Sequence, residues 1–269
     1  DGTFSVAFTP WSIGYLSGGA LIKGMGKKKI YYLSRSDSWG KTIHDGLKVA
    51  CKEYGGEIID FAEVPSGTVD FSSIINKAKS LKPDVFVSCH FGGDAIAAFK
   101  QAYELGLYKV TTVFSTWITN VVASGIPDNA LNGLYALMYS YHNLEGFEDK
   151  ELAKVTKEYS DAHMKKWNEP PDAYGTIAYV ATELLFQGIE KAGSFDGKKI
   201  AKVMKETKDF KGVKGTVYFR EDHEMVSKYL AFLGKGKAPG EKKGKWDLFK
   251  IEGYFGGDSA LPSLKSLGY

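Results

Sequence analysis

The sequence predicts an α/β protein built on a parallel, doubly wound sheet. One observation carries that prediction. Strand–turn–helix units follow one another three times before residue 120: KKIYYLS (Lys28–Ser34) leads into SDSWGKT, DVFVSC (Asp84–Cys89) into HFGGD, and VTTVFS (Val110–Ser115) into TWITN. Strands alternating with helices of ordinary length are the pattern of a parallel sheet covered on both faces. A second observation concerns function. Each of these strands is followed by an aromatic residue, Trp39, Phe91 or Trp117. Ligands on open α/β sheets bind outside the carboxyl ends of the strands, so the three aromatics point to a small-molecule site.

The elements follow in order. TFSVAF (Thr3–Phe8) alternates and reads as a strand stopped by Pro10. Ser12–Gly26 reads as a helix despite its glycines, and Ile30–Ser34 as an apolar strand. Lys41–Tyr54 places Ile43, Leu47, Ala50 and Cys51 at helical spacing and closes on Gly55-Gly56. A strand is expected over Glu57–Val64, a helix over Phe71–Leu81 ended by Pro83, a strand over Val85–Ser88, a helix over Ala95–Leu105 and a strand over Val110–Ser115. Beyond Asn120 the pattern changes. A strand over Gly133–Ser140 precedes two long helices, about 149–168 and 173–192, and a shorter one over Gly197–Glu206. Strands are then expected over Val213–Phe219, Lys228–Leu233 and Trp246–Tyr254, with Lys235–Lys245 a solvated turn.

Composition excludes several classes. The 269 residues suit one large domain or two of ordinary size. The net charge of +3 comes without a focused basic stripe, so no nucleic acid is expected as partner. No apolar run approaches the ~20 residues of a membrane helix. The chain starts at Asp1 with no signal sequence and reads as a processed or trimmed product. Cys51 and Cys89 have no metal spacing and read as buried free thiols. His44, His142, His163 and His223 show no metal spacing either, and neither metal nor cofactor is expected. There is no G-x-S-x-G elbow, and the adjacency of Cys89 and His90 does not define a catalytic pair. Gly92-Gly93 lacks the phosphate-loop pattern and reads as a tight strand–helix turn. No enzyme activity is therefore expected.

Several stretches together resemble the periplasmic solute-binding proteins of the leucine/isoleucine/valine type, receptors of ABC importers. They are KKIYYLSRSDSWG (Lys28–Gly40), GGEIIDFAEVPSGTVD (Gly55–Asp70) with FSSIINKAKSLKPDVF after it, FGGDAIAAFKQAYELGL (Phe91–Leu107), DAYGTIAYVATELLFQGIEKAG (Asp172–Gly193) and GTVYFREDHE (Gly215–Glu224). The resemblance implies a two-lobed fold with parallel doubly wound sheets and three crossovers. It also implies an incomplete first lobe, since the family normally begins with about a hundred residues more. Residues 10–139 plus 225–269 would form the second lobe, and 1–9 plus 140–224 the remnant of the first. The implied function is an extracytoplasmic or periplasmic receptor that captures a small organic ligand by hinge closure and then docks on a membrane permease. A ligand-sensing module of the same fold is the alternative.

By position, the resemblance gives Trp39, Phe91 and Trp117 as ligand contacts, with Asp172 facing the cleft from the first lobe. Large aromatics are also common core side chains. His90 could point into the cleft or serve as a structural histidine. Trp11, at the first crossover, is a further candidate with no motif behind it. Ser36 and Asp37 could cap the helix that follows them. Arg35 reads as a surface charge or a lobe–lobe contact. Trp117 stands where amino-acid-binding relatives carry an acidic residue for the ligand ammonium. A mainly aromatic or apolar ligand, neutral or weakly cationic, is therefore expected rather than leucine, isoleucine or valine.

Overall fold

The computed structural model describes residues 2–269. Contacts divide them into two units. One comprises Thr9–Met138 and Leu233–Gly253, and is called the sheet unit. The other comprises the residues up to Phe8, Tyr139–Phe232 and Tyr254–Tyr269, and is called the helical unit.

The sheet unit begins with α1 (Pro10–Gly19), which Thr9 caps by accepting from Ser12 N at 3.2 Å and which runs on as a π-helical turn to Gly24. Glycine here has a packing purpose. A Cβ on Gly14 would lie 1.9 Å from the Ile43 carbonyl oxygen, and one on Gly46 would lie 2.0 Å from that of Trp11. α1 and α2 (Ser38–Tyr54) thus pack backbone against backbone. β1 (Lys29–Arg35) is buried throughout Ile30–Ser34, as a strand covered on both faces must be. β2 (Glu57–Val64), α3 (Ser72–Leu81), β3 (Val85–Ser88), α4 (Gly93–Glu104) and β4 (Thr112–Ser115) follow. Two short helices, α5 (Asn120–Gly125) and α6 (Asp128–Leu131), lead to β5 (Tyr135–Met138).

The strand order is decisive for the site. β1 pairs in parallel with β2 on one side and with β3 on the other, and β3 continues to β4 and β5. The chain therefore reverses its direction of winding between β1 and β3. That is the topological switch point, where the loops leaving the two strands diverge.

The helical unit holds α7 (Lys150–Trp167), α8 (Ala173–Ala192) and α9 (Gly197–Glu206). With them goes a small antiparallel sheet of β6 (Phe210–Gly212), β7 (Gly215–Phe219) and β8 (Met225–Ser227). Its core is Val180, Leu184, Met204, Phe210, Val217, Phe219 and Met225. β9 (Ala231–Gly236) and β10 (Phe249–Phe255) complete the seven-stranded sheet on its β5 side, and the chain ends in α10 (Leu264–Leu267).

Several expectations change, the strand expected over Lys228–Leu233 among them, since β9 begins only at Ala231 and runs to Gly236, and the one expected from Trp246 begins at Phe249. Thr3–Phe8 forms no strand, only a parallel bridge from Ser5 to Glu224. The strand expected from Val110 starts at Thr112, because Leu107–Lys109 take a 3-10 turn. The strand expected to start at Val213 is the second arm of a hairpin whose turn is Val213-Lys214. The contacts also divide the carboxyl-terminal stretch that was expected whole in the sheet lobe. Residues 225–232 and 254–269 go with the helical unit. β8 pairs there with β7, Gly257 N donates to Ser227 O at 2.8 Å, and Tyr254 meets the rings of Phe147 and Tyr229.

Candidate functional site

The carboxyl ends of β1 and β3 bring two sequence-distant turns together. After β1 the chain needs only Ser36 and Asp37 before α2 starts, and Asp37 caps that helix, its Oδ1 accepting from Gly40 N at 3.1 Å. Gly40 allows the close fit, since a Cβ there would stand 2.0 Å from the Arg35 carbonyl oxygen. After β3 the chain runs through Cys89, His90, Phe91 and Gly92 into α4. Gly92, at φ 64°, makes the tight turn expected of Gly92-Gly93.

Trp39 and Phe91 meet here. The Trp39 indole N–H donates to the Cys89 carbonyl oxygen at 3.1 Å, which fixes the ring across the two turns. The Phe91 ring lies 5.9 Å away at 72°, an edge-to-face pair. Phe91 remains 38% exposed and Trp39 is half-buried, so this pair has surface left to offer.

Arg35, read from the sequence as a surface charge or a lobe–lobe contact, completes the group. Its guanidinium carbon sits 4.7 Å from the Phe91 ring centroid, within cation–π range. Its Nη2 donates to Asp37 Oδ2 at 2.5 Å. Its Nε is buried and has no hydrogen-bond partner among the described residues. Partial burial raises the Asp37 carboxyl, but the Gly40 N–H and the Arg35 guanidinium outweigh that and hold it below the usual range. Asp37 is therefore an anion whose two oxygens are already engaged. The signal for Arg35 was present in its place at the end of β1, but only the strand order gives that place its meaning.

The other candidates lie elsewhere or have other work. His90 is 0% exposed, with its ring 5.4 Å edge-on to Phe71 and its Nδ1 3.3 Å from Ser88 Oγ. Burial lowers it to about 4, so it is neutral. Trp117 follows β4, the next strand along, and is 5% exposed. Trp11 lies in the first turn of α1, stacked 5.1 Å from Tyr15. Asp172 belongs to the helical unit and caps α8, its Oδ1 accepting from Tyr174 N at 2.8 Å. The Cys89 thiol is pushed up by burial and accepts from Arg35 N at 3.3 Å, a structural role. Chemically, the switch point offers aromatic surface and guanidinium donors, with no activated nucleophile beside them.

The family model described as "Periplasmic binding protein" matches residues 1–238. The chain belongs to that family. A Leu/Ile/Val-binding protein of Rhizobium johnstonii is 28% identical over 235 residues, which cover 86% of this chain and 58% of the relative. The chain thus spans a little more than half the length of the curated relatives it matches. Among solved structures, a branched-chain amino-acid ABC transporter ligand-binding protein of Burkholderia xenovorans aligns with a TM-score of 0.87 at 21% identity, covering 98% of this chain and 68% of its own. A solute-binding protein of R. palustris in complex with benzoate aligns with a TM-score of 0.76 at 21% identity, covering 97% and 68%. These likenesses establish the fold: mixed α/β with a mostly parallel central sheet. Periplasmic binding proteins are receptors for small molecules rather than enzymes. Among the described residues no helix is long and apolar enough to cross a membrane.

Proposed function

We propose that the chain is part of an extracytoplasmic solute-binding receptor of an ABC importer, and that it holds a small aromatic or apolar organic ligand at the carboxyl ends of β1, β3 and β4. The observation that carries this reading is the Trp39–Phe91 pair at the topological switch point, partly exposed and anchored by a hydrogen bond across the two turns. Trp117 borders the same edge one strand further on. Family membership supports the receptor role, the extracytoplasmic site of action and a membrane permease as partner. Capture is by closure on the ligand, which stabilises the closed state only by the difference in affinity between the two states. Asp172 and Trp11 remain secondary candidates, because one is committed to a helix cap and the other to a helix–helix stack. His90 acts by supporting the β3 turn from within.

Native mass spectrometry of the purified protein tests this reading, with calorimetric titration of a panel of aromatic compounds beside leucine, isoleucine and valine. The expected result is a retained or added small aromatic compound at micromolar affinity, lost on Trp39→Ala. Micromolar binding of leucine that is indifferent to Trp39→Ala and Trp117→Ala would overturn it.

A further inference from the structure

We infer that Lys214 is a positioning residue for ligand capture: it ties together three of the places where the chain leaves the helical unit, so that they turn as one block when the receptor closes. The inference rests on the closure in the receptor reading above and adds the side chain that organises it.

The chain passes from one unit to the other at four places, after Phe8, Met138, Phe232 and Gly253. Lys214 lies in the turn of the β6–β7 hairpin and is 1% exposed. Its Nζ donates to the carbonyl oxygen of Tyr139 and, at 3.2 Å, to that of Leu230. Tyr139 directly follows β5 and Leu230 directly precedes β9, so one amine bridges the second and third passages. The same nitrogen stands 4.1 Å from the Tyr139 ring centroid and 5.4 Å from that of Phe232. Tyr139 carries the link to the first passage. Its hydroxyl donates to the Val6 carbonyl oxygen at 2.7 Å, and its ring lies 5.9 Å from that of Phe8. The hairpin turn is itself fastened, because the Ser227 hydroxyl donates to the Lys214 carbonyl oxygen at 2.8 Å. All these residues belong to the helical unit.

A core-filling role does not account for this side chain. Lysine is almost never fully buried unless paired, and no carboxylate pairs with this one among the described residues. Burial holds its amine well below the ordinary lysine range. A methionine of similar length would fill the space without the cost of burying an amine. What lysine adds is N–H donors, and both of its protonation states have the two that these carbonyls take. Hinge closure is absorbed by a few residues at passages of this kind. Passages bound to one side chain do not bend independently, which narrows the open ensemble that a ligand must draw together. The fourth passage has its own anchor, Tyr254 against the rings of Tyr229 and Phe147.

The test is Lys214→Met, which keeps the length and removes the donors, in protein without ligand. Hydrogen exchange should quicken about 10-fold, the worth of one buried hydrogen bond, at the amides of 6–8, 139–141 and 229–232 together. The amides of 254–256 and those of α7 and α8 should not change. Dyes on Lys100→Cys in α4 and Lys154→Cys in α7, both exposed, read the distance between the units by single-molecule energy transfer, since Cys51 and Cys89 are buried. The distance distribution should broaden in Lys214→Met at an unchanged urea midpoint, which a residue that only fills the core would not produce. Tyr139→Phe should quicken 6–8 alone, and it decides the matter if Lys214→Met does not fold. Exchange that quickens equally throughout the helical unit overturns the inference. So do amides at the three passages, or a distance distribution, that stay as in the parent. No ligand enters this experiment, so such a result leaves the receptor reading standing, and that reading fails only in the titrations above.

Discussion

In the sheet unit Tyr31, Tyr32, Phe86 and Phe114 are wholly buried, whereas in the helical unit Phe186 and Phe195 are 59% and 89% exposed. Both regions carry large apolar side chains at regular spacing. The sheet unit covers its strands with helices, and its apolar runs end inside. In the helical unit α8 has one covered stripe, Val180, Leu184 and Gly188, against β6, β7 and α9. Tyr179, Leu185 and Phe186 on the same helix are open. Phe4, Val6, Leu185, Ile200, Met204 and Phe219 line an apolar cavity of about 280 Å³ there. Spacing alone shows that a helix has an apolar face, but it does not show what lies on that face.

The largest expected effect falls in the sheet unit. Leu33→Ala, at a strand position with 0% exposure, should cost about 4 kcal/mol of unfolding free energy in urea titration. A cost below about 1 kcal/mol would mean that the sheet is less tightly packed than described.

Next comes acid sensitivity. His90 is held neutral by burial, with its folded value lowered to about 4 against an ordinary 6.5. The unfolded chain therefore binds a proton before the folded chain does. The stability tied to His90 is complete above pH 6.5 and is lost as the pH falls toward 4, on the order of 3 kcal/mol in all. Denaturant midpoints followed from pH 7 to pH 4 should fall less steeply for His90→Gln than for the parent. Parallel curves would show that His90 is not buried as a neutral base.

In the helical unit Phe186→Ser should change unfolding free energy by no more than about 0.5 kcal/mol, since the side chain is mostly exposed. It should nonetheless reduce self-association in sedimentation, because exposed apolar surface favours association by ~25 cal/mol per Å². A destabilisation like that of Leu33→Ala would erase the contrast between the units. The smallest expected effect is at the thiols. Cys51, raised to about 11, and Cys89 are both buried and free, so neither should react with a thiol reagent until the protein is denatured.

Much of the sheet unit was legible because each parallel strand is a short apolar run closed by a turn, and β1, β2 and β3 fall within a residue of their expected places. Thr3–Phe8 alternates like a strand, but only Ser5 finds a bridging partner. Glycines argued against α1, yet Gly14 and Gly46 are what let α1 and α2 touch. For the site, Trp39 and Phe91 do come together, although 52 positions separate them in the chain. Arg35 read as a surface charge or a lobe–lobe contact, and its neighbours across the two turns were not legible for a physical reason. Its place at the switch point comes from β2 and β3 flanking β1, and strand order is a long-range property that local pattern does not carry.

A ligand held at the switch point of the sheet unit should shield the turns that follow β1, β3 and β4. Hydrogen exchange with and without bound ligand measures that shielding. Slower exchange is predicted for the backbone amides of 36–40, 90–95 and 116–118, with the α8 and α9 amides unchanged. Protection confined to the apolar cavity of α8 and α9, with residues 36–40 and 90–95 unaffected, would place the ligand away from the switch point.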